Sequence, residues 1–144
     1  MFQERIAQPL DMEHSAFIQT EYTRKHKAQP YDGNSNLIDW QNDYWYLKDN
    51  EKFVAPSSLH SEVIDFTKWM IAEMNKRLLS KESYNELLKV HSTPKKGKYY
   101  ALGFETFEKP YHTLFFHGGN NDGFTGAYIL DVKKKMGICI VYKF

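Results

Sequence analysis

The stretch Leu114-Phe115-Phe116-His117-Gly118-Gly119-Asn120-Asn121-Asp122-Gly123-Phe124 constrains the fold more than any other part of this chain. An apolar run ends in a histidine and two glycines, and a polar turn closed by Gly123 leads into a second apolar run. These residues predict an inner strand with an exposed polar end, a tight turn and a paired strand. Glycine at 118 and 119 removes side chains from one sheet edge, so a ligand or another segment can approach the backbone closely. Exposed N–H groups there could stabilise an oxyanion, and His117 could give or take a proton. The same residues also suit a strand that merely ends in a glycine turn.

The C-terminal third continues as sheet. Tyr99–Phe107 reads as a strand with a central glycine, followed by strands Thr113–His117, Phe124–Leu130 and Gly137–Phe144. Asp131–Met136 is a charged hairpin whose lysines are expected in solvent. Ahead of this sheet, Ser61 is a good N-cap, and Glu62 and Asp65 put negative charge in a first turn. Val63, Phe66, Met70 and Met74 fall at helical spacing, which predicts a helix over 62–78. Ser80 starts a second helix with Tyr84, Leu87, Leu88 and His91 on one face, and Pro94–Lys98 ends the helical pattern. Asp65 suits a structural first-turn carboxylate better than a catalytic one, and His91 suits a C-terminal dipole partner or surface residue. Two helices followed by an antiparallel meander of about four strands make the chain α+β.

The N-terminal part is less regular. Phe2, Ile6 and Leu10 resemble the tail of an amphipathic helix cut by Pro9, so more chain is expected upstream. Residues 19–52 carry turn signals at Pro30, Asp32-Gly33 and Asn34-Ser35-Asn36, and read as an irregular, aromatic-rich segment. Trp40, Trp45 and Tyr46 in it could pack or bind a peptide, glycan or partner chain. Residues 1–144 are taken together as one partial domain.

Composition excludes several classes. With 19 Lys+Arg against 18 Asp+Glu, there is no electrostatic case for nucleic acid or an anionic membrane. No apolar run approaches the roughly 20 residues of a membrane span, and no signal peptide is visible. Cys139 lies in an uncharged apolar run and reads as a small buried hydrophobe; one cysteine allows no internal disulfide. His112 and His117 are five apart and fall on opposite strand faces, so no metal site is expected. No cofactor is expected either.

Four motifs then appear in order: Pro9-Leu10-Asp11-Met12; Ala55-Pro56-Ser57-Ser58-Leu59-His60-Ser61-Glu62-Val63-Ile64-Asp65-Phe66-Thr67-Lys68-Trp69-Met70; Tyr100-Ala101-Leu102-Gly103-Phe104; and His117-Gly118-Gly119 with Gly123-Phe124. This succession resembles the C-terminal half of the serine β-lactamase/penicillin-binding-protein-like hydrolases, which include class C β-lactamases, D-Ala-D-Ala carboxypeptidases and related esterases. That family uses Pro-Leu-Gly-Met, a Gly-Gly-Leu-x-Ser-Thr-x-x-Asp-Leu helix start, a Tyr-Gly-Leu-Gly-Trp strand, and a Lys-Thr-Gly or His-x-Gly strand. Asp11, Ser57-Ser58, Ala101 and Phe104 depart from it.

The resemblance implies a partial β-lactamase/transpeptidase-like fold and a bacterial, extracytoplasmic or envelope protein. It implies that His117 binds a substrate carboxylate or relays protons. Gly118 and Gly119 would let substrate lie along the strand, and the N–H of Asn120 would be one oxyanion donor. The family's Ser-x-x-Lys nucleophile and Tyr-x-Asn element have no counterpart here. Ser92-Thr93-Pro94-Lys95 matches by letters, but holds a proline and stands just before the sheet. The expectation is therefore a C-terminal fragment of a serine hydrolase, inactive alone, whose intact parent takes a small-molecule or peptide substrate. A sheet face uncovered by absent terminal helices is expected to favour a homodimer. The competing reading is a non-catalytic binding or assembly module.

Overall fold

The alternating apolar residues of the C-terminal part pair as one antiparallel meander, with strand order in space the same as in sequence. A computed structural model describes residues 1–39, 57–95, 98–109 and 112–143. The strands are β1 (Ser92–Lys95), β2 (Lys98–Tyr100), β3 (Glu105–Lys109), β4 (His112–Asn121), β5 (Phe124–Asp131) and β6 (Met136–Lys143). The described helices are α1 (Glu21–His26), α2 (Val63–Met74) and α3 (Lys81–Leu87). The α+β class holds, but the sheet has six strands where four were expected.

Both extra strands have a local cause. Gly103 takes φ +83°, which reverses the chain, and the Ala101 N–H bonds the Phe104 carbonyl at 2.9 Å. The expected single strand over Tyr99–Phe107 is thus a hairpin with Tyr99 opposite Thr106 and Tyr100 opposite Glu105. Ser92–Lys95 extends the sheet despite Pro94, because an outermost strand tolerates a missing N–H. The Lys133–Lys135 turn is exposed as expected, and Asp131 Oδ1 accepts the Lys134 N–H at 2.9 Å.

The chain divides into two compact units. One comprises Thr67–Gly118 and Ala127–Ile140. Its core is Met70, Ala72 and Met74 of α2, Tyr84 of α3, Ala101 and Phe104 of the β2–β3 turn, and Phe115 and Leu130 of the sheet, all buried. Tyr128 stands edge-on to Trp69 (5.3 Å) and Phe104 (6.4 Å), a geometry that aromatic quadrupoles favour. At Gly137 a Cβ would come within 2.7 Å of Met70 Cε, the movable end of that side chain, so α2 packs close against β6 here. Ser80 caps α3 by accepting the Ser83 N–H at 3.2 Å. His91 Nε2 donates to the Glu86 carbonyl at 2.8 Å, which makes it the expected partner for the helix C-terminus.

The helix α2 ends at Met74, four residues before the expected 78. The Lys76 N–H bonds the Glu73 carbonyl and the Arg77 N–H bonds the Ala72 carbonyl, each at 3.0 Å, with Lys76 at φ +54°. That is a Schellman stop, built without the glycine that would have signalled it. Glu73, one residue before the end, is 7% exposed. Burial pushes its carboxyl up to about 7, offset in part by a hydrogen bond from the Trp69 indole. The helix C-terminus disfavours its charge further.

The other unit comprises Met1–Phe66, Gly119–Gly126 and Val141–Phe144. A π-type turn (Gln3–Ala7) and a 3-10 turn (Gln8–Leu10) stand where a helix tail was expected. Asp11 then takes φ 53°, ψ 39°, the left-handed conformation for which the family's glycine at this place is suited. Within the segment read as irregular, α1 is capped by a reciprocal Thr20–Thr23 box. The expected turn at 32–36 is present, with Asp32 Oδ1 accepting the N–H groups of Asn34 and Asn36 at 2.8 Å. Trp40, Trp45 and Tyr46 lie outside the described residues.

Two stability measurements follow. A left-handed lysine costs about 1–2 kcal/mol and a glycine's unfolded-state freedom about 0.5–1. Lys76→Gly is therefore expected to raise unfolding free energy by about 0.5–1 kcal/mol, read as a higher urea midpoint at unchanged slope. Because folding raises the Glu73 pKa above its usual 4.5 to about 7, its contribution to stability is complete below about 4.5 and is lost as pH rises through 7. Stability is expected to fall by up to about 3 kcal/mol between pH 4.5 and 7 and to level off above, read as a falling melting temperature over that range, and Glu73→Gln is expected to flatten that dependence.

Candidate active-site strand

Strand β4 has ten residues, whereas its neighbour β3 pairs with only the first part of it, from Lys109↔His112 to Glu105↔Phe116. Beyond Phe116, β4 continues through His117-Gly118-Gly119-Asn120-Asn121 with β5 beside it on the other side. Among the described residues, no strand covers the β3 side of this extension. Alternate N–H and C=O groups there face outward, spaced to accept an extended chain.

The His-Gly-Gly step is therefore strand and does not itself turn. The turn comes later, at Asp122-Gly123, where Gly123 takes φ +82°. Glycine is obligatory there for a second reason: a Cβ would lie 2.5 Å from Pro30 Cβ and 2.9 Å from the Tyr31 nitrogen. The 30–38 hairpin thus rests on the end of β4. Gly119 is the opposite case. Its φ is not positive, and a Cβ would meet nothing within 4 Å. Among the described residues, neither backbone conformation nor packing asks for glycine at 119.

His117, Gly118, Gly119 and Asn120 are all exposed. By strand alternation, His117 shares a face with the buried Phe115, and Asn120 falls on the other. The Thr125 hydroxyl donates to Asn120 Oδ1 at 2.7 Å, which fixes the Asn120 amide. Asn121 Nδ2 makes a long contact of 3.4 Å with the Ser57 carbonyl.

The motif around Ser57–Phe66 supports the N-terminal segment. His60 and Ala16 exchange backbone hydrogen bonds at 2.8 and 2.9 Å. His60 Nδ1 donates to the Ser58 carbonyl at 2.9 Å, so Nε2 accepts from the Gln19 amide at 3.2 Å. Burial holds the His60 pKa below its usual value, in keeping with that neutral tautomer. Ser61 is not the side-chain cap of α2: its hydroxyl pairs with Ser15 Oγ at 2.7 Å. Glu62 caps instead, its carboxylate accepting the Ile64 and Asp65 N–H groups at 2.7 Å each, because two oxygens reach two donors where a hydroxyl reaches one. Asp65 is buried, and its Oδ2 accepts from the His14 N–H (2.8 Å) and Ser15 Oγ (3.0 Å). It serves as the expected structural carboxylate.

The remaining candidates are dispersed. Ser92 and Lys95 lie on an extended strand, where residues three apart do not meet as they do across one helical turn. His112 Nε2 lies 3.3 Å from Asp131 Oδ2. Cys139 is half-buried on β6. Thr125 and Pro30 were not legible beforehand as supports, since Thr125 acts across the hairpin turn and Pro30 through a partner distant in sequence; Glu62 was expected as first-turn charge and acts as the cap.

A β-lactamase family model matches residues 1–143. This chain belongs to the β-lactamase family. No curated protein matches it. Among solved structures, an octameric penicillin-binding protein homologue from Pyrococcus abyssi aligns at TM-score 0.77 and 22% identity over 98% of this chain and 32% of its own. A β-lactamase/D-alanine carboxypeptidase from Pseudomonas syringae aligns at 0.73 and 14%, covering 99% and 47%. A D-stereospecific amidohydrolase from Streptomyces sp. aligns at 0.68 and 17%, covering 98% and 42%. The chain thus spans less than half the length of these β-lactamase-like structures, and the likeness establishes the fold. No helix among the described residues is long and apolar enough to cross a membrane.

Removing the Asp65 carboxylate takes the acceptor from the His14 N–H and leaves the Ser15 hydroxyl only Ser61 to pair with. Asp65→Ala is expected to cost about 1–3 kcal/mol of stability by denaturant unfolding.

Proposed function

We propose that this chain is the C-terminal portion of a β-lactamase-like serine hydrolase and carries one wall of its site. The open side of β4 past Phe116, with His-Gly-Gly exposed on it, is the observation that supports this best. An extended substrate would add there as a strand. Glycine at 119, which packing does not require, would leave room for it.

In the intact parent, a serine hydroxyl would attack the amide or ester carbonyl. The resulting oxyanion would be held by the Asn120 N–H and by the nucleophile's own N–H, and the leaving group would depart protonated. Water would then hydrolyse the acyl-enzyme. His117 would bind the substrate carboxylate or relay the proton. Among these 144 residues, Ser-x-x-Lys occurs once, in β1, and Tyr-x-Asn does not occur. The chain alone would therefore bind and polarise a substrate without attacking it. It is one part of a domain, and its uncovered sheet face would favour self-association.

A fluorophosphonate or penicillin probe is expected to leave the chain unlabelled, and a short acylated peptide carboxylate is expected to shift the amide resonances of Gly118, Gly119 and Asn120. Stoichiometric labelling would overturn the first half of this reading, and silence at those three amides the second.

A further inference from the structure

Strand alternation divides the end of β4 unequally: Gly118 and Asn120 fall on one face, and His117, Gly119 and Asn121 on the other. Between Phe116 and the turn, Asn120 is therefore the single side chain on its face. The chain reverses at Asp122-Gly123, a two-residue connection that sets Asn120 opposite Thr125 of β5. Opposite residues share a face, and here the side chains meet, with the Thr125 hydroxyl 2.7 Å from Asn120 Oδ1.

An asparagine amide has an accepting end and a donating end, and its neighbours decide which end is left over. The separation here fits an O–H···O bond, with its mode at about 2.7–2.8 Å, better than an N–H···O bond at about 2.9–3.0 Å. Thr125 thus gives its one hydroxyl proton to Oδ1. Among the described residues nothing else bonds the Asn120 side chain, so Nδ2 keeps both of its protons. The neighbouring Asn121 does not compete for this role, because its Nδ2 lies against the Ser57 carbonyl on the other face.

We propose that Thr125 is a positioning residue that holds Asn120 as a donor-only contact, and that this selects extended ligands carrying a hydrogen-bond acceptor on the residue paired with Asn120. The inference rests on the reading of β4 as the strand to which an extended ligand adds. A ligand residue opposite Asn120 on the open side shares its face, with the two Cβ atoms about 4.5–5.5 Å apart. Asn120 then stands between two cross-strand neighbours, Thr125 from the chain and one from the ligand. The first takes Oδ1, so the second meets the NH2 group. An ether, carbonyl or carboxylate oxygen accepts there, whereas an aliphatic group accepts nothing and an ammonium brings only further donors. Without the Thr125 hydroxyl the amide turns over freely, offers either end, and the selection is lost.

The test uses the full chain and N-acetyl-tetraalanine, each alanine replaced in turn by O-methylserine or by norvaline. These two side chains differ by one ether oxygen in place of a methylene. Binding is followed at the backbone amides of Gly118, Gly119 and Asn120. At one position O-methylserine is expected to bind about fivefold more tightly than norvaline, the worth of one neutral hydrogen bond, and to move the Asn120 side-chain amide resonances. Thr125→Val keeps the branched shape without the hydroxyl, and is expected to bring that ratio below about twofold while the backbone amides still respond. Thr125→Ser is expected to retain it. A ratio near one at every position of the unaltered chain would overturn the inference and leave the reading of β4 standing. So would a preference that survives Thr125→Val or is lost in Thr125→Ser. Silence at the three backbone amides would overturn both.

Discussion

Every backbone N–H and C=O must find a partner, in the protein or in water, and among the described residues the part of β4 beyond its pairing with β3 has no strand on that side. The candidate site depends on that run. Had β3 run two or three residues further back past Gly103, it would have covered His117 and Gly119 and closed the strand to any ligand. Gly103 prevents this by reversing the chain between Tyr100 and Glu105. A turn glycine with no place in the chemistry thus decides how much of β4 stays open.

Around that strand, the family's motifs act as supports. Asp65 holds the backbone after Met12 to the first turn of α2. Asp11, where the family has glycine, accepts a left-handed conformation to make the bend. The Ser57–Ser61 segment pairs with Ala16 through His60. Pro30 seats on the Gly123 turn. These contacts fall within the N-terminal unit, and each fixes a piece of chain that could not be held by apolar burial alone.

Much of this was legible in the residues. The meander, Ser80 as a cap, His91 at a helix end, the exposed lysine turn and the structural role of Asp65 all follow from local chemistry. What was not legible has two causes. Where a conformation is adopted by an unusual residue, its signal is missing: Lys76 ends α2 in a left-handed turn, and the apolar period alone ran past it. Where one residue has two readings, context decides. Gly103 could sit in a strand or reverse it, and the outcome depends on β3 pairing with β4. The Glu62 cap shows a third limit, because Ser61 met the usual rule and was engaged by Ser15 instead.

The β4 extension is polar and glycine-bearing, with no apolar side chain between His117 and Asn121. A ligand there would exchange hydrogen bonds with water at little hydrophobic gain, which suits a substrate that must leave. The paired part of the same strand is the reverse: Phe115 is buried and packs edge-on against Phe104, so apolar burial anchors the strand while its polar end adds little to stability.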